Sequence, residues 1–271
     1  ARAEKPIDKR RKEKIAFNCG VGESDVISAP NVRSIYDVPI NFEKDHLSDI
    51  LLKKLGLKPK AQDLRTWEQF ARLMKTETPR VKIGVVGKYF KAGADAILSD
   101  SYISVIEALR HAGVANKTGV SLEWLNPEDP QIIAQISRCD GVVVPGGFGE
   151  RGIEGKIKVI RYCREKHIPY FGLCYGMQLM VVEYARSKCG MKTAHTTEIS
   201  KDTKYPVIDI LPEQKALLAD AALGGTMRLG THPAVIERDT LAYRAYRTSL
   251  ARSNVIQERH RHRYEVNPEF V

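Results

Sequence analysis

Residues 171–178, FGLCYGMQ, set one cysteine, Cys174, between Gly172 and Gly176, behind an apolar run and ahead of an amphipathic one. The pattern G-x-nucleophile-x-G marks places where a strand turns sharply into a helix. Such a turn strains its central residue and lifts that side chain above the sheet. The two glycines let backbone pass where a Cβ would clash. A thiol at the head of the following helix would feel its partial positive charge, which lowers a cysteine pKa and favours the thiolate. Free N–H groups at the same helix end can receive an oxyanion. The chemistry implied is attack by sulfur on an acyl carbon. The competing reading is a buried structural cysteine, the ordinary fate of this residue type. Cys163 and Cys189 on predicted helices, Cys139 before a strand and Cys19 in the N-terminal piece fit that alternative better.

A second candidate is PGGFGERG, residues 145–152. A glycine cluster at the end of a strand frees backbone amides to face an oxyanion, a carboxylate or a phosphate. It lacks the Lys-Ser/Thr of a P-loop, and GxGxxG is absent. Alone it says only that an anion binds.

These two stretches need elements that bring them together. From Val81 the chain alternates: strand VKIGVVGKY, helix SDSYISVIEALRHAGV, strand SLEWLN, helix EDPQIIAQISRC, strand GVVVP, helix IEGKIKVIRYCREK, strand IPYFGL, helix GMQLMVVEYARSKCG. Alternation of this kind predicts an α/β fold, a doubly wound, mostly parallel sheet covered on both faces. Ligands of such sheets bind beyond the carboxyl ends of the strands, which puts 146–152 and 173–176 on one rim. Upstream, KIAFNC (14–19) reads as a short buried strand, with a brief strand at Val26–Ile27. Leu47, Ile50, Leu51 and Leu55 have helical spacing, and Gly56 is a stop signal. LKPKAQDL has linker composition, RTWEQFARLMKT reads as a short helix, and TETPR marks a boundary. The expected organisation is an N-terminal piece over 1–57, a linker over 58–80 and a catalytic domain over 81–271.

Bulk properties exclude several classes. With 43% hydrophobic residues the chain can bury a core, and no apolar run reaches the length of a membrane span. An odd number of cysteines without CxxC spacing reads as reduced thiols in a cytoplasmic protein, with no zinc or other metal site. The net charge of +10 and the run Lys9, Arg10, Arg11, Lys12, Lys14 invite a nucleic-acid reading. Interrupting acids and the lack of aromatic interleaving or a DNA-binding motif argue against it. Nucleotide triphosphates and carboxylates also demand cations, and a solvated face accounts for much of the run.

Together these motifs resemble the class I glutamine amidotransferases, a flavodoxin-like fold that hydrolyses glutamine with a Cys–His–Glu triad. Within them the nearer resemblance is to the CTP synthase family. It rests on DGVVVPGGFGERGIEGKI (140–157), IPYFGLCYGMQ (168–178), AHTTE (194–198), GGTMRLG (224–230) and ERHRHRYEVN (258–267). KIAFNC…VISAPNVRSIYDVPI is similar to the end of that family's synthetase (amidoligase) domain, so a partial N-terminal remnant of it is expected.

The resemblance implies Cys174 as the nucleophile that forms a glutamyl thioester and releases ammonia. It implies the amides of Gly147 and Tyr175 as the oxyanion hole. Gly147, Tyr175, Gly176, Met177 and Gln178 would line the glutamine site. Glu198 would hold the substrate's α-amino group and Arg263 its α-carboxylate, a role that suits a planar, permanently charged fork. Lys14 would contact nucleotide, and Pro30, Asn31 and Val32 would lie against the adenine of ATP. For the complete enzyme the family implies UTP, ATP and Mg2+ as reactants, CTP as product, GTP as allosteric activator and a homotetramer. It implies no nucleic acid, no membrane and no cofactor for the glutaminase step itself. Two departures stand out: no GxxxxGK[ST] occurs, and no His-x-Glu follows HRYEVN before Val271. The terminal NPEFV resembles the family's HPEF with Asn for His, but the intervening strands would have to be missing, so the two are not equivalent. A chain truncated at both ends accounts for both departures. The alternative is a non-catalytic glutamine-binding or assembly module of the same fold.

Overall fold

The computed structural model describes residues 1–60, 63–75, 80–88, 99–210, 214, 227–248, 250 and 253–271. Parts of the expected linker (61–62 and 76–79), Tyr89 at the end of VKIGVVGKY, and the GGT of GGTMRLG (224–226) lie outside them. The chain forms two compact units, residues 1–80 with 106–120, and residues 81–105 with 121–271.

In the first unit a short strand β1 (Arg2–Ala3) pairs in parallel with β2 (Ala29–Pro30). Residues 14–19, expected as a strand, belong instead to helix α1 (Lys9–Cys19). The reason is local. Asp8 caps the helix by accepting from the Arg11 N–H at 2.8 Å, and the preceding Lys, Arg and Glu residues are good helix formers. The apolar triplet Ile15-Ala16-Phe17 is no buried run, since Ala16 is buried while Phe17 is 88% exposed. The strand expected at Val26–Ile27 likewise falls later, on β2. Helices α2 (Val38–Lys44), α3 (Leu47–Lys54) and α4 (Arg65–Leu73) follow, the last lying within the expected linker. Tyr36, Trp67, Phe70 and His111 form an aromatic cluster, with the Tyr36 and Phe70 rings edge to face at 5.1 Å.

The second unit is built on β3 (Arg80–Val86), β4 (Gly119–Leu125), β5 (Gly141–Val144) and β6 (Tyr170–Gly172), in the sheet order β4-β3-β5-β6. β3 pairs with β5, and β5 with β6, in parallel. All of β5 is buried, as a strand covered on both faces must be. The helices of this unit are α6 (Ile132–Ile136), α7 (Ile153–Lys166) and α8 (Tyr175–Lys188), whereas α5 (Ile103–Ala115), which follows β3 in sequence, falls mostly within residues 106–120 of the first unit. Ile132, Ile136, Val159 and Cys163 pack on one hydrophobic cluster with Val86, Val142 and Val144. Ile153, Ile157, Ile160, Leu179 and Val182 pack on a second with Ala194, Val207 and Ile208. This is the expected α/β arrangement. Strand order reverses between β3 and β5, so their carboxyl ends flank the crevice where such folds bind ligands.

A smaller sheet, β11-β8-β7, joins Tyr264–Val266, Pro206–Ile210 and His195–Thr196. β9 (Arg228–Val235) and β10 (Val255–His262) form an antiparallel ribbon, and a short helix α9 (Leu241–Tyr246) lies between them in sequence.

Candidate active site

Cys174 stands two residues beyond β6 and caps α8. Its backbone has φ +50° and ψ −106°, a conformation that side-chain-bearing residues rarely adopt and that is held only when surroundings over-determine it. Those surroundings are identifiable. The Leu173 N–H extends the β5–β6 ladder to the Val144 carbonyl at 2.9 Å, and the Gly176 N–H returns to the Leu173 carbonyl at 2.9 Å. A Cβ on Gly172 would lie 2.5 Å from the Gly176 carbonyl carbon, and one on Gly176 would lie 2.1 Å from the Val144 oxygen. The glycines on either side of Cys174 therefore meet the close approach expected of them, and the bend between strand and helix needs both.

The loop after β5 comes to the same place. A Cβ on Gly146 would stand 3.5 Å from the Cys174 Cβ and 4.0 Å from its Sγ. One on Gly147 would stand 3.9 Å from the Tyr175 ring. The Tyr175 ring is 1% exposed, and its hydroxyl donates to the Gly149 carbonyl at 3.0 Å. Lys88, just past β3, donates from Nζ to the Phe148 and Gly149 carbonyls. Glu198, in the turn after β7, accepts from the Gly149 N–H at 3.1 Å. The 146–149 loop is thus tied to all three strand ends of the rim and to Glu198.

The remaining expected residues divide. Gln178 is buried and donates from Nε2 to the Tyr264 carbonyl at 2.7 Å, so its amide nitrogen is committed to backbone. That bond holds β11, and Arg263 just before it, against α8. Burial raises the Tyr264 pKa, the Glu198 carboxylate adds to the rise and the Arg263 guanidinium opposes it, so both charges act at one neighbourhood. Met177 is half-buried on the first turn of α8. Lys14 is exposed on α1, Pro30 lies on β2, and Asn31 and Val32 follow it in the first unit.

The expected thiolate is not what the surroundings favour. Although Cys174 is exposed on one side, the backbone crowded around its sulfur removes water and raises the thiol pKa. The Tyr175 N–H bond lowers it, and the Glu198 carboxylate adds to the rise; the net shift is upward from 9.0. Helix-end stabilisation is outweighed by lost hydration and a nearby anion. A resting thiol at neutral pH requires a base. Among the described residues no histidine bonds to Cys174: His195 accepts at Nδ1 from the Thr196 N–H, and His260 and His262 meet each other at 2.7 Å.

Two lysines were missed in the sequence. Lys88 stands two residues past the end of β3, at the sheet's reversal point. Lys156 interrupts the buried face Ile153, Ile157, Ile160 of α7, and its type alone made that position conspicuous. An apolar cavity of about 380 Å³, lined by Ile160, Tyr170, Met180, Tyr184 and Phe270 among others, includes none of the site residues.

A family model described as glutamine amidotransferase class-I matches residues 97–271, and one described as CTP synthase N-terminus matches residues 1–57. The chain is 46% identical over 273 residues to the CTP synthase of Pyrococcus abyssi, covering 100% of this chain and 48% of that protein. It is 45% identical over 278 residues to that of Methanocaldococcus jannaschii, with 99% and 49% covered. The chain spans about half the length of these curated relatives. Among solved structures, the Trypanosoma brucei CTPS glutaminase domain with bound acivicin is similar at a TM-score of 0.59 and 33% identity, over 70% of this chain and 69% of that one.

Proposed function

Since the chain belongs to the class I glutamine amidotransferase family, we propose that it hydrolyses glutamine through Cys174. The observation that carries the proposal is the placement of this strained cysteine, at the head of α8, beside Gly146, Gly147 and Tyr175. Cys174 gives its proton to a base, and Sγ attacks the side-chain amide carbon of glutamine. The C=O electron pair moves onto oxygen, where the Gly147 and Tyr175 N–H groups receive it. Collapse with proton donation to nitrogen expels ammonia and leaves a glutamyl thioester. Water cleaves the thioester to glutamate and restores the thiol. Glu198 and Arg263 serve the α-amino and α-carboxylate groups of the substrate, as their opposite charges require.

In a protein of the relatives' full length the ammonia aminates UTP to CTP with consumption of ATP, in keeping with relatives named CTP synthase along the whole of this chain. One exposed cation, Lys14, and the half-buried Val32 beside Pro30 and Asn31 suit the phosphates and base of ATP, which when bound supplies phosphoryl activation of the pyrimidine. Mg2+ and the activator GTP belong to this proposal without residues assigned in this chain, and a homotetramer is the proposed assembly.

Ammonia release from L-glutamine by the full chain, and acivicin labelling mapped by mass spectrometry, test the proposal. Labelling at Cys174 and loss of both signals in Cys174→Ser are expected; labelling elsewhere, or ammonia release that survives the substitution, refutes it. One observation favours a second reading, a glutamine-binding module: no described residue is placed as the base that a raised thiol pKa demands. Calorimetric binding of glutamine without ammonia release would select that reading.

A further inference from the structure

Lys156 is 2% exposed in the middle of the buried face of α7, between Ile153 and Ile160. Buried lysines ordinarily extend the ammonium to water or pair it with a carboxylate. Here the side chain is buried almost along its whole length, and among the described residues no carboxylate pairs with Nζ. Its partner among the described residues is the face of the Tyr175 ring, with Nζ 5.4 Å from the centroid. Burial, with the Lys88 charge as a further cause, pulls its pKa down to about 8. A leucine or methionine would fill this position at lower cost, so the cation is a liability to the fold.

The ring it touches belongs to the residue after Cys174. Tyr175 is gripped at both ends: its face lies on the Lys156 ammonium, and its hydroxyl holds the Gly149 carbonyl. We propose that Lys156 is a positioning residue of the oxyanion hole, clamping the Tyr175 ring so that the Tyr175 N–H and the Gly147–Gly149 loop keep a fixed aim at the acyl oxygen. The proposal rests on the reading of Cys174 as nucleophile. A donor of this kind acts on the charged tetrahedral species and little on bound substrate, so its misalignment appears in the rate of the chemical step and not in binding.

The consequence is a pair of opposite signs. Lys156→Met keeps length and removes charge, so it should raise the midpoint of thermal unfolding while slowing the chemistry. The probe is acivicin, whose ring carbon takes the sulfur while the adjacent ring nitrogen takes the electron pair, before chloride leaves. With the full chain, kinact at Cys174 is expected to fall about 10-fold in Lys156→Met with KI within about twofold of the parent. Lys156→Arg, which keeps a cation on the ring, should retain kinact within about threefold. An unchanged kinact in the methionine variant overturns the inference alone. So does a fall in kinact accompanied by a lower unfolding midpoint, which would mark a merely structural lysine. If the methionine variant does not fold, a 10-fold loss of kinact in Lys156→Arg overturns the inference and retention supports it. Absence of labelling at Cys174 in the parent chain removes the nucleophile reading and this inference together.

Discussion

A methyl group on Gly176 would sit 2.1 Å from the carbonyl oxygen of Val144, so the first turn of α8 lies directly on the end of β5. That contact sets how far Cys174 projects beyond the sheet, because the Gly176 N–H also closes the bend through Leu173. Gly176→Ala must push helix and strand apart. A loss of about 2–3 kcal/mol in unfolding free energy is expected from overpacking against backbone, together with loss of acivicin labelling at Cys174. Denaturant unfolding and labelling of the same sample check this, and normal labelling would show that the bend is not needed for the site.

Cys174 itself occupies a conformation better suited to glycine, with φ +50° and ψ −106°. Relief of strain outweighs the entropy that glycine brings to the unfolded chain, so Cys174→Gly should stabilise the fold by about 1 kcal/mol while abolishing chemistry. Cys174→Ser, which keeps the strain, should leave stability within about 0.5 kcal/mol of the parent. Equal or lower stability of the glycine variant would mean that the bend stores no strain.

The raised Cys174 pKa has a direct kinetic signature. An acid whose pKa is raised stays protonated to higher pH, so the thiolate reaches half only above the ordinary thiol value of 9.0. Iodoacetamide alkylation of Cys174 should therefore still be rising at pH 9 rather than levelling near pH 7. A plateau by pH 7.5 would mean that helix-end stabilisation prevails over desolvation and Glu198. Glu198→Gln removes one cause of the rise and should bring the midpoint down.

Behind the site, Glu183 on α8 is 1% exposed and takes two bonds from Arg164 on α7, at 2.8 and 3.0 Å. Burial, the largest single cause, would raise its pKa, but the Arg164 and Ser187 hydrogen bonds and the Arg164 and Arg161 charges together outweigh it and leave the carboxyl below 4.5. A depressed carboxyl pKa contributes stability that is present above the unfolded value and is lost as pH falls through the folded one. Glu183→Gln should cost about 2 kcal/mol at pH 7, discounted for the partly exposed Arg164. It should also flatten the fall in stability between about pH 5 and pH 2. Thermal unfolding across that range tests both, and an unaltered acid slope would place the acid sensitivity elsewhere.

Much of the arrangement was legible because it is dictated locally. The Gly172-Leu173-Cys174-Tyr175-Gly176 spacing announces a strand–helix bend, and the glycines at 146, 147 and 149 announce a loop able to approach it. The alternation from Val81 onward announces a parallel sheet, whose geometry alone sends both stretches to one rim. Residues 9–19 were less legible: Ile15-Ala16-Phe17 has the composition of a strand, and the cap at Asp8 outweighs it.

What the chain order by itself determined is which residues have the chemistry: a thiol at a forced bend, free amides beside it, and acid and guanidinium groups downstream. Only the tertiary structure decided how those groups are tuned. Crowding by backbone and Glu198 turns an expected thiolate into a thiol, Tyr264 takes up the Gln178 amide, and the Lys156 ammonium lies over the Tyr175 ring. The physical reason is range. Bend and cap preferences act over a few neighbouring residues, whereas hydration and charge act through whatever the fold brings alongside, here residues 19 to 86 positions apart in the chain.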